Sequence, residues 1–287
     1  MSLLSKNGRI RHFVASTPIG LLEALDVHLR VPQEKGRELL RLGAIYCNKR
    51  RVRADRPLRR GEYLRVHIEP KRYPLPDIDW RALVVEETPD FLVVNKPRGV
   101  PMHAMLDNEV ENLLYQLRKN GYPELWVTQR LDNDTEGLCV LARTKSFQAE
   151  FNERLRNREL EKRYRAWVWG APKLGHWTHY MKPTPWAPKE ICTEQKAGWA
   201  RCDLVVESVQ ALPQDPARSE VGLWLLTGRT HQIRVQLARE GHPVLGDTLY
   251  GAPAGPFLAL QSAALVFVWR NRRCEYRLAR PTDWDQL

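Results

Sequence analysis

Apolar residues change their spacing along this chain often enough to divide it into elements. Leu21, Leu22, Leu25 and Leu29 recur on one helical face until Pro32 stops the pattern. A second helix is predicted from Gln33 to Leu42, ended by Gly43, which can take the left-handed conformation that closes a helix. Ala44 to Asn48 and Gly61 to Ile68 read as strands, with a basic turn, Lys49 to Arg53, after the first. Residues 1–20 show no apolar period and are expected to form an arm.

Pro70 to Pro76, rich in Pro and basic residues, reads as a linker. Leu83 to Glu86 and Phe91 to Asn95 then flank a Thr-Pro-Asp turn and predict a hairpin, followed by a loop, Asn95 to Gly99, and His103. Val110, Leu113, Leu114 and Leu117 mark an amphipathic helix closed by Gly121, and Phe147, Phe151 and Leu155 mark another over 144–157. Strands are predicted at 126–131, 138–142 and 161–169. The last places Tyr164, Ala166 and Val168 on one face and Arg163, Arg165 and Trp167 on the other. Residues 171–198, rich in Pro, Trp and Lys, give loops with one strand at most. Strands at 202–209 and 221–226, joined by a loop, precede a helix from Gly228 to Gly241 with Thr230 near its cap and Ile233 and Leu237 inward. Strands over 258–269 and 275–279 close the chain, and no internal repeat is evident.

Composition sets the scale. With 287 residues, 43% of them apolar, the chain can bury a substantial core, and it divides into residues 1–73, a linker at 74–82, and a larger domain at 83–287. No apolar run approaches the roughly 18 residues of a membrane span, and the N-terminus lacks the apolar core of a signal peptide, so a soluble, cytoplasmic protein is expected. The five cysteines have neither zinc-ligand nor redox-motif spacing and read as structural thiols.

Charge changes the picture for the N-terminal part. Residues 1–73 hold 17 Lys and Arg against 7 Asp and Glu, whereas the remaining residues hold 28 against 27. A polyanionic partner that contacts this segment is the natural inference, because phosphate neutralisation dominates nucleic-acid affinity.

The candidate chemistry centres on Gln129 to Arg143, Gln-Arg-Leu-Asp-Asn-Asp-Thr-Glu-Gly-Leu-Cys-Val-Leu-Ala-Arg. Asp132 follows an Arg-Leu pair and precedes a Gly that opens an apolar run, an address for a carboxylate at a strand end. The alternation of Asp132, Asp134 and Glu136 imitates half of a calcium loop, but the twelfth position is Arg143, so no metal site is expected. Read alone, the stretch is a solvated turn. Gly228 to Arg234 lacks the Gly-rich and Lys features of a phosphate-binding loop, which argues against nucleotide hydrolysis.

Taken with Val94-Asn-Lys-Pro-Arg-Gly99, Leu226-Thr-Gly-Arg-Thr-His-Gln-Ile-Arg234 and Gly241-His-Pro-Val-Leu-Gly-Asp-Thr-Leu-Tyr-Gly251, the motif Arg130 to Leu138 resembles the RluA-type pseudouridine synthases. These convert particular uridines in RNA to the carbon-linked isomer. The resemblance runs from about Leu83 to the C-terminal region. It implies an α+β fold with a mixed, largely antiparallel catalytic sheet and a small N-terminal α/β module, no cofactor, and an RNA substrate. Ribosomal RNA comes first and tRNA second, and a monomer would suffice.

The reaction breaks the glycosidic bond, turns the uracil and rejoins it through carbon 5. The resemblance assigns Asp132 as nucleophile or base, Arg229 as its cationic partner, and Tyr164 as the surface that receives the flipped base. The period alone leaves Tyr164 equally readable as a core residue. Among apolar strands the carboxyl pKa would rise, and a nearby Arg would offset this. Arg130, Lys96 and Lys162 become candidate RNA contacts. Residues 21–68 are similar to the small RNA-binding module of a ribosomal small-subunit protein, although that module's usual Arg-Leu-Asp opening is absent. Arg37, Arg41, Lys49, Arg50, Arg51 and Arg53 are its candidate backbone contacts. Gln129 and Glu136 stand where the family commonly has His and Ser, and altered RNA contacts are expected. The alternatives are a non-catalytic RNA-binding or ribosome-assembly protein and, more distantly, a metal-dependent nuclease.

Overall fold

The computed structural model describes residues 9–287 and the backbone of Leu3–Leu4. It divides into two compact units, Met1–Ile78 with Val100–Pro123, and Asp79–Gly99 with Glu124–Leu287.

In the first unit, helices Leu21–Leu29 and Gln33–Leu42 bury Leu21, Leu25 and Leu39 in one cluster with Leu64 and Val66 of a five-stranded sheet. The strand order is Leu3–Leu4, Ile10–Val14, Tyr63–His67, Ile45–Cys47, Arg50–Val52. Ile10–Val14 corrects the expected arm. It pairs with Tyr63–His67 and buries only Phe13, too little apolar periodicity to register in a sequence. Residues 1, 2 and 5–8 of that arm lie outside the described residues.

Asn48 and Lys49 take positive φ values of 48° and 66° between Cys47 and Arg50, the left-handed pair that matches a tight hairpin to strand twist. Arg51 is turned inward within this unit, whereas Arg53 stays largely exposed. Both pair with Glu109, at 3.4 and 2.6 Å, and Arg51 also donates to the Tyr46 hydroxyl at 2.6 Å. Arg51, with 15% of its side chain exposed, is therefore a brace for the 105–109 loop rather than the RNA contact expected of it. The first unit thus draws in a segment that the linear division at 73 and 83 assigns to the second.

The second unit is an 11-stranded, mixed and largely antiparallel sheet. Its order runs Ile191–Cys192, Gly175–Met181, Ala200–Leu212, Asp215–Leu225, Glu161–Trp169, Leu260–Trp269, Glu136–Ala142, Phe91–Lys96, Val84–Glu87. Trp126–Val127 and Arg272–Arg277 pair alongside Glu136–Ala142 and Leu260–Trp269 respectively. Helix Lys145–Arg156 seals one part of the core, where Phe147 and Phe151 meet Phe91 and Phe267. The expected loop between residues 209 and 221 is instead the end of a long hairpin. Pairing continues to Leu212 opposite Asp215 through residues 207–211, none of which is buried, because ladder hydrogen bonds do not require an apolar face.

One described pairing is parallel, and it sets up the site. Glu136 and Gly137 lie beside Gln261 and Ser262. Gly137 has φ +107°, and a Cβ there would stand 2.4 Å from the Ser262 carbonyl oxygen, so this approach demands glycine. Gly137→Ala should lower stability by about 3 kcal/mol or more through strain and overpacking. A denaturation midpoint equal to wild type would contradict that account. On the other flank of Leu260–Trp269, a register shift between Arg163 and Tyr164 sets Tyr164 opposite Ser262.

Trp167, expected on the outer face with Arg163 and Arg165, is 2% exposed. It is covered by Trp284 of the C-terminal turn Thr282–Gln286, at 5.6 Å between ring centroids.

Candidate active site

Asp132 sits in the turn that leads into strand Glu136–Ala142, closed by the Thr135 amide donating to the Asp132 carbonyl at 3.2 Å. Lys96, the last residue of strand Phe91–Lys96, lies directly beneath this turn. It is fully buried and donates to the carbonyls of Asn133 (2.8 Å) and Pro97 (2.9 Å). Burial pulls its ammonium down to about 8, against the attraction of Asp134, Asp132 and Glu136. Lys96 therefore shapes the catalytic turn from below and is not available to RNA, which corrects its expected role. The alternation of this strand puts Lys96 on the same face as the buried Leu92 and Val94, the one signal in the sequence that could have placed it inside.

The cation beside Asp132 comes from the helix Gln232–Arg239. Arg234 Nη1 stands 3.7 Å from Asp132 Oδ2, while its Nε and Nη2 clamp both oxygens of Asp247 at 2.7 Å. Burial opposes the Arg234 charge, but Asp247 and Asp132 together raise its pKa above the ordinary value. Arg229, expected as the partner, is exposed in the loop before the helix; its amide donates to Gln232 Oε1. The physical reason is the helix start. His231 adopts φ 57° at the N-cap, so the helix begins at Gln232 rather than at Gly228, and Arg234 lies in its first turn. Both arginines lay in the same sequence motif, and only the helix start separates them.

His231 was not singled out from the sequence. Its Nε2 is 3.9 Å from Asp132 Oδ2, and its Nδ1 meets the Tyr250 hydroxyl at 3.0 Å. Burial, with the Arg234 charge, lowers its pKa against the pull of Asp132, so the imidazole is neutral near pH 7. Tyr164 completes the group. Burial, then the Asp132 charge, pushes its phenol well above the ordinary value, partly relieved by a hydrogen bond with Ser262. The site therefore combines a carboxylate that is 22% exposed, a guanidinium locked by a second carboxylate, and a protonated phenol. Such a set can attack or take a proton at an electrophilic sugar while receiving a flat base.

The two departures from the resembled family behave differently. Glu136 accepts from Arg98 Nη2 and from Trp284 Nε1, each at 2.8 Å, tying the 97–99 loop and the C-terminal turn to the strand that follows Asp132. Gln129 Nε2 is buried without a hydrogen-bond partner. Arg130 is exposed in the loop before Asp132.

Lys162 projects from the strand face that carries Tyr164 and is 8% exposed. Burial, with Arg158 nearby, pulls its pKa from 10.5 to about 8. Between those values the unfolded chain holds more protons than the folded one. Wild-type stability relative to Lys162→Met should therefore rise as pH climbs from about 8 towards 10.5. Denaturant titrations across that range check the sign, and a falling difference would contradict it.

Residues 90–239 match the sequence family described as RNA pseudouridylate synthase. The chain is 36% identical over 211 residues to RNA pseudouridine synthase 6, chloroplastic, of Arabidopsis thaliana, covering 66% of this chain and 45% of that protein. It therefore spans under half the length of that relative. It is 30% identical over 193 residues to the dual-specificity RNA pseudouridine synthase RluA of Escherichia coli, covering 66% of this chain and 85% of that protein. Human RNA pseudouridylate synthase domain containing 4 shares the fold, with a TM-score of 0.59 at 19% identity over 72% of this chain and 92% of that one. Human RNA pseudouridylate synthase domain containing 1 gives a TM-score of 0.54 at 29% identity, covering 68% and 82%.

Proposed function

This chain belongs to the RNA pseudouridylate synthase family, and we propose that it isomerises particular uridines of a structured RNA to pseudouridine, with Asp132 as the reacting carboxylate. The observation that carries the reading is the convergence of Arg234, His231 and Tyr164 on Asp132. The target uridine leaves its stack, and its base rests against Tyr164. The Asp132 carboxylate then attacks the ribose or removes a proton from it, and the glycosidic bond breaks. Arg234 supports the negative charge of Asp132 through a fork already fixed by Asp247, so no side chain must reorganise during the step. The detached uracil turns and rejoins through carbon 5, whose proton is then lost. Neutral His231, 3.9 Å from Asp132, can accept it, while the Tyr164 phenol keeps its own proton and serves as the surface for the base. Arg130, exposed beside Asp132, occupies the space the flipped nucleotide leaves.

The first unit supplies RNA affinity in this reading. Its two helices and basic hairpin support the likeness to the ribosomal RNA-binding module, and Arg37, Arg41, Lys49 and Arg50 are all exposed. Ribosomal RNA remains the substrate class we propose first, with tRNA second. Replacing both Lys49 and Arg50 by Ala should reduce the slope of log affinity against log salt by roughly 1.4 to 1.8, the share of two phosphates. An unaltered slope would remove the hairpin from the interface.

The activity is tested by incubating the protein with unmodified ribosomal RNA and tRNA transcripts and mapping pseudouridine by carbodiimide labelling and primer extension. A new stop at one position establishes the reaction and its substrate. Tight binding without any stop would favour a non-catalytic RNA-binding protein.

A further inference from the structure

Lys162 is the one buried cation of this region that nothing in the site accounts for. It is 8% exposed, and among the described residues its ammonium has no hydrogen-bond or ion-pair partner; its charged neighbour, Arg158, has the same sign. An ammonium on a side chain this largely buried, without a counter-charge, is costly unless something from outside neutralises it. The ammonium is also approachable. Gly228 beside it is exposed, and a Cβ at that glycine would lie 3.4 Å from Nζ, so the missing side chain leaves the space beside the charge open.

The surroundings are positive as well. Arg158 and Arg201, each with 54% of the side chain exposed, lie 3.7 and 3.0 Å from Asp203, and Arg229 follows Gly228 directly. Asp203 is the carboxylate at this place. It is 1% exposed and already held by Thr178 and Arg201, with His176 at 3.4 Å. Its backbone bonds to Thr227, the residue before Gly228, which joins this cluster to the Lys162 loop. Arg158 and Arg201 therefore pair with Asp203, while Lys162 has no share of it. Lys162 and Tyr164 are alternate residues of one strand, about 7 Å apart on the same face.

We propose that Lys162 and the Gly228 loop, rimmed by Arg158, Arg201 and Arg229, form a subsite for one phosphodiester group of the RNA strand whose base reaches Tyr164. The anion site stands on the unpaired ammonium alone; its assignment to RNA rests on the functional reading above.

Thermal unfolding of wild type and Lys162→Met in rising inorganic phosphate, at ionic strength held constant with chloride, tests the anion site without any need for catalysis. The wild-type midpoint should rise with phosphate and that of the variant should not. Without phosphate the variant should be at least as stable as wild type, because an unpaired buried charge has been removed. No phosphate response in wild type, or an equal response in the variant, overturns the subsite. A second arm compares binding of an unmodified transcript across salt concentrations, where Lys162→Met should flatten the slope by about one. A phosphate response combined with an unchanged RNA slope overturns the phosphodiester assignment. Because the phosphate arm reads stability, it can succeed where pseudouridine formation fails, so the two ideas fall separately.

Discussion

Asp132→Asn should reduce pseudouridine formation by at least about 1,000-fold, the scale of losing a positioned acid, base or nucleophile. The substitution keeps the size of the side chain and removes its ionisation. Arg234 keeps its bidentate clamp on Asp247, so the helix start and the turn remain in place. RNA affinity should stay within a few-fold of wild type, because the exposed cations expected to meet phosphate lie elsewhere. Single-turnover assays with a modified-position readout, alongside filter binding, give both quantities. Turnover near wild type would exclude Asp132 from the chemistry, and loss of binding without loss of fold would make it an RNA contact instead.

Arg234→Met should be the most destabilising substitution in the site, by about 3–5 kcal/mol, since it strands the fully buried Asp247 carboxylate. Activity should fall as well, because Asp132 loses the cation at 3.7 Å. The double variant Arg234→Met, Asp247→Leu separates the two effects. Removing the stranded charge should restore most of the stability, as replacing both members of a buried ion pair by apolar groups often does, while activity stays low. Chemical denaturation of the single and double variants measures the first claim. A loss under about 1 kcal/mol in the single variant would mean that Asp247 is neutral or solvated, and the account of the clamp would fail.

Most of the element pattern could be read along the chain because it depends on local spacing. The helices over 21–29, 33–42 and 145–156 follow their leucines and phenylalanines, and the strand 161–169 follows its alternation. The strand Ile10–Val14 escaped because it buries one residue, and the hairpin end escaped because residues 207–211 of its first strand bury no side chain.

The amino-acid sequence by itself determined the motif that carries Asp132, the strand that presents Tyr164, and the concentration of positive charge before residue 74. These are properties of residue order and of spacing within one element. Only the tertiary structure decided which charges meet. A left-handed His231 moves the helix start and brings Arg234 to Asp132 in place of Arg229. A fully buried Lys96 supports the turn it was expected to leave for RNA, and Glu109 holds Arg51 inward. Charged residues look alike in a sequence because each can be solvated or paired. Whether one becomes a clamp, a prop or a free contact depends on partners far along the chain, and on the water that folding removes from around it.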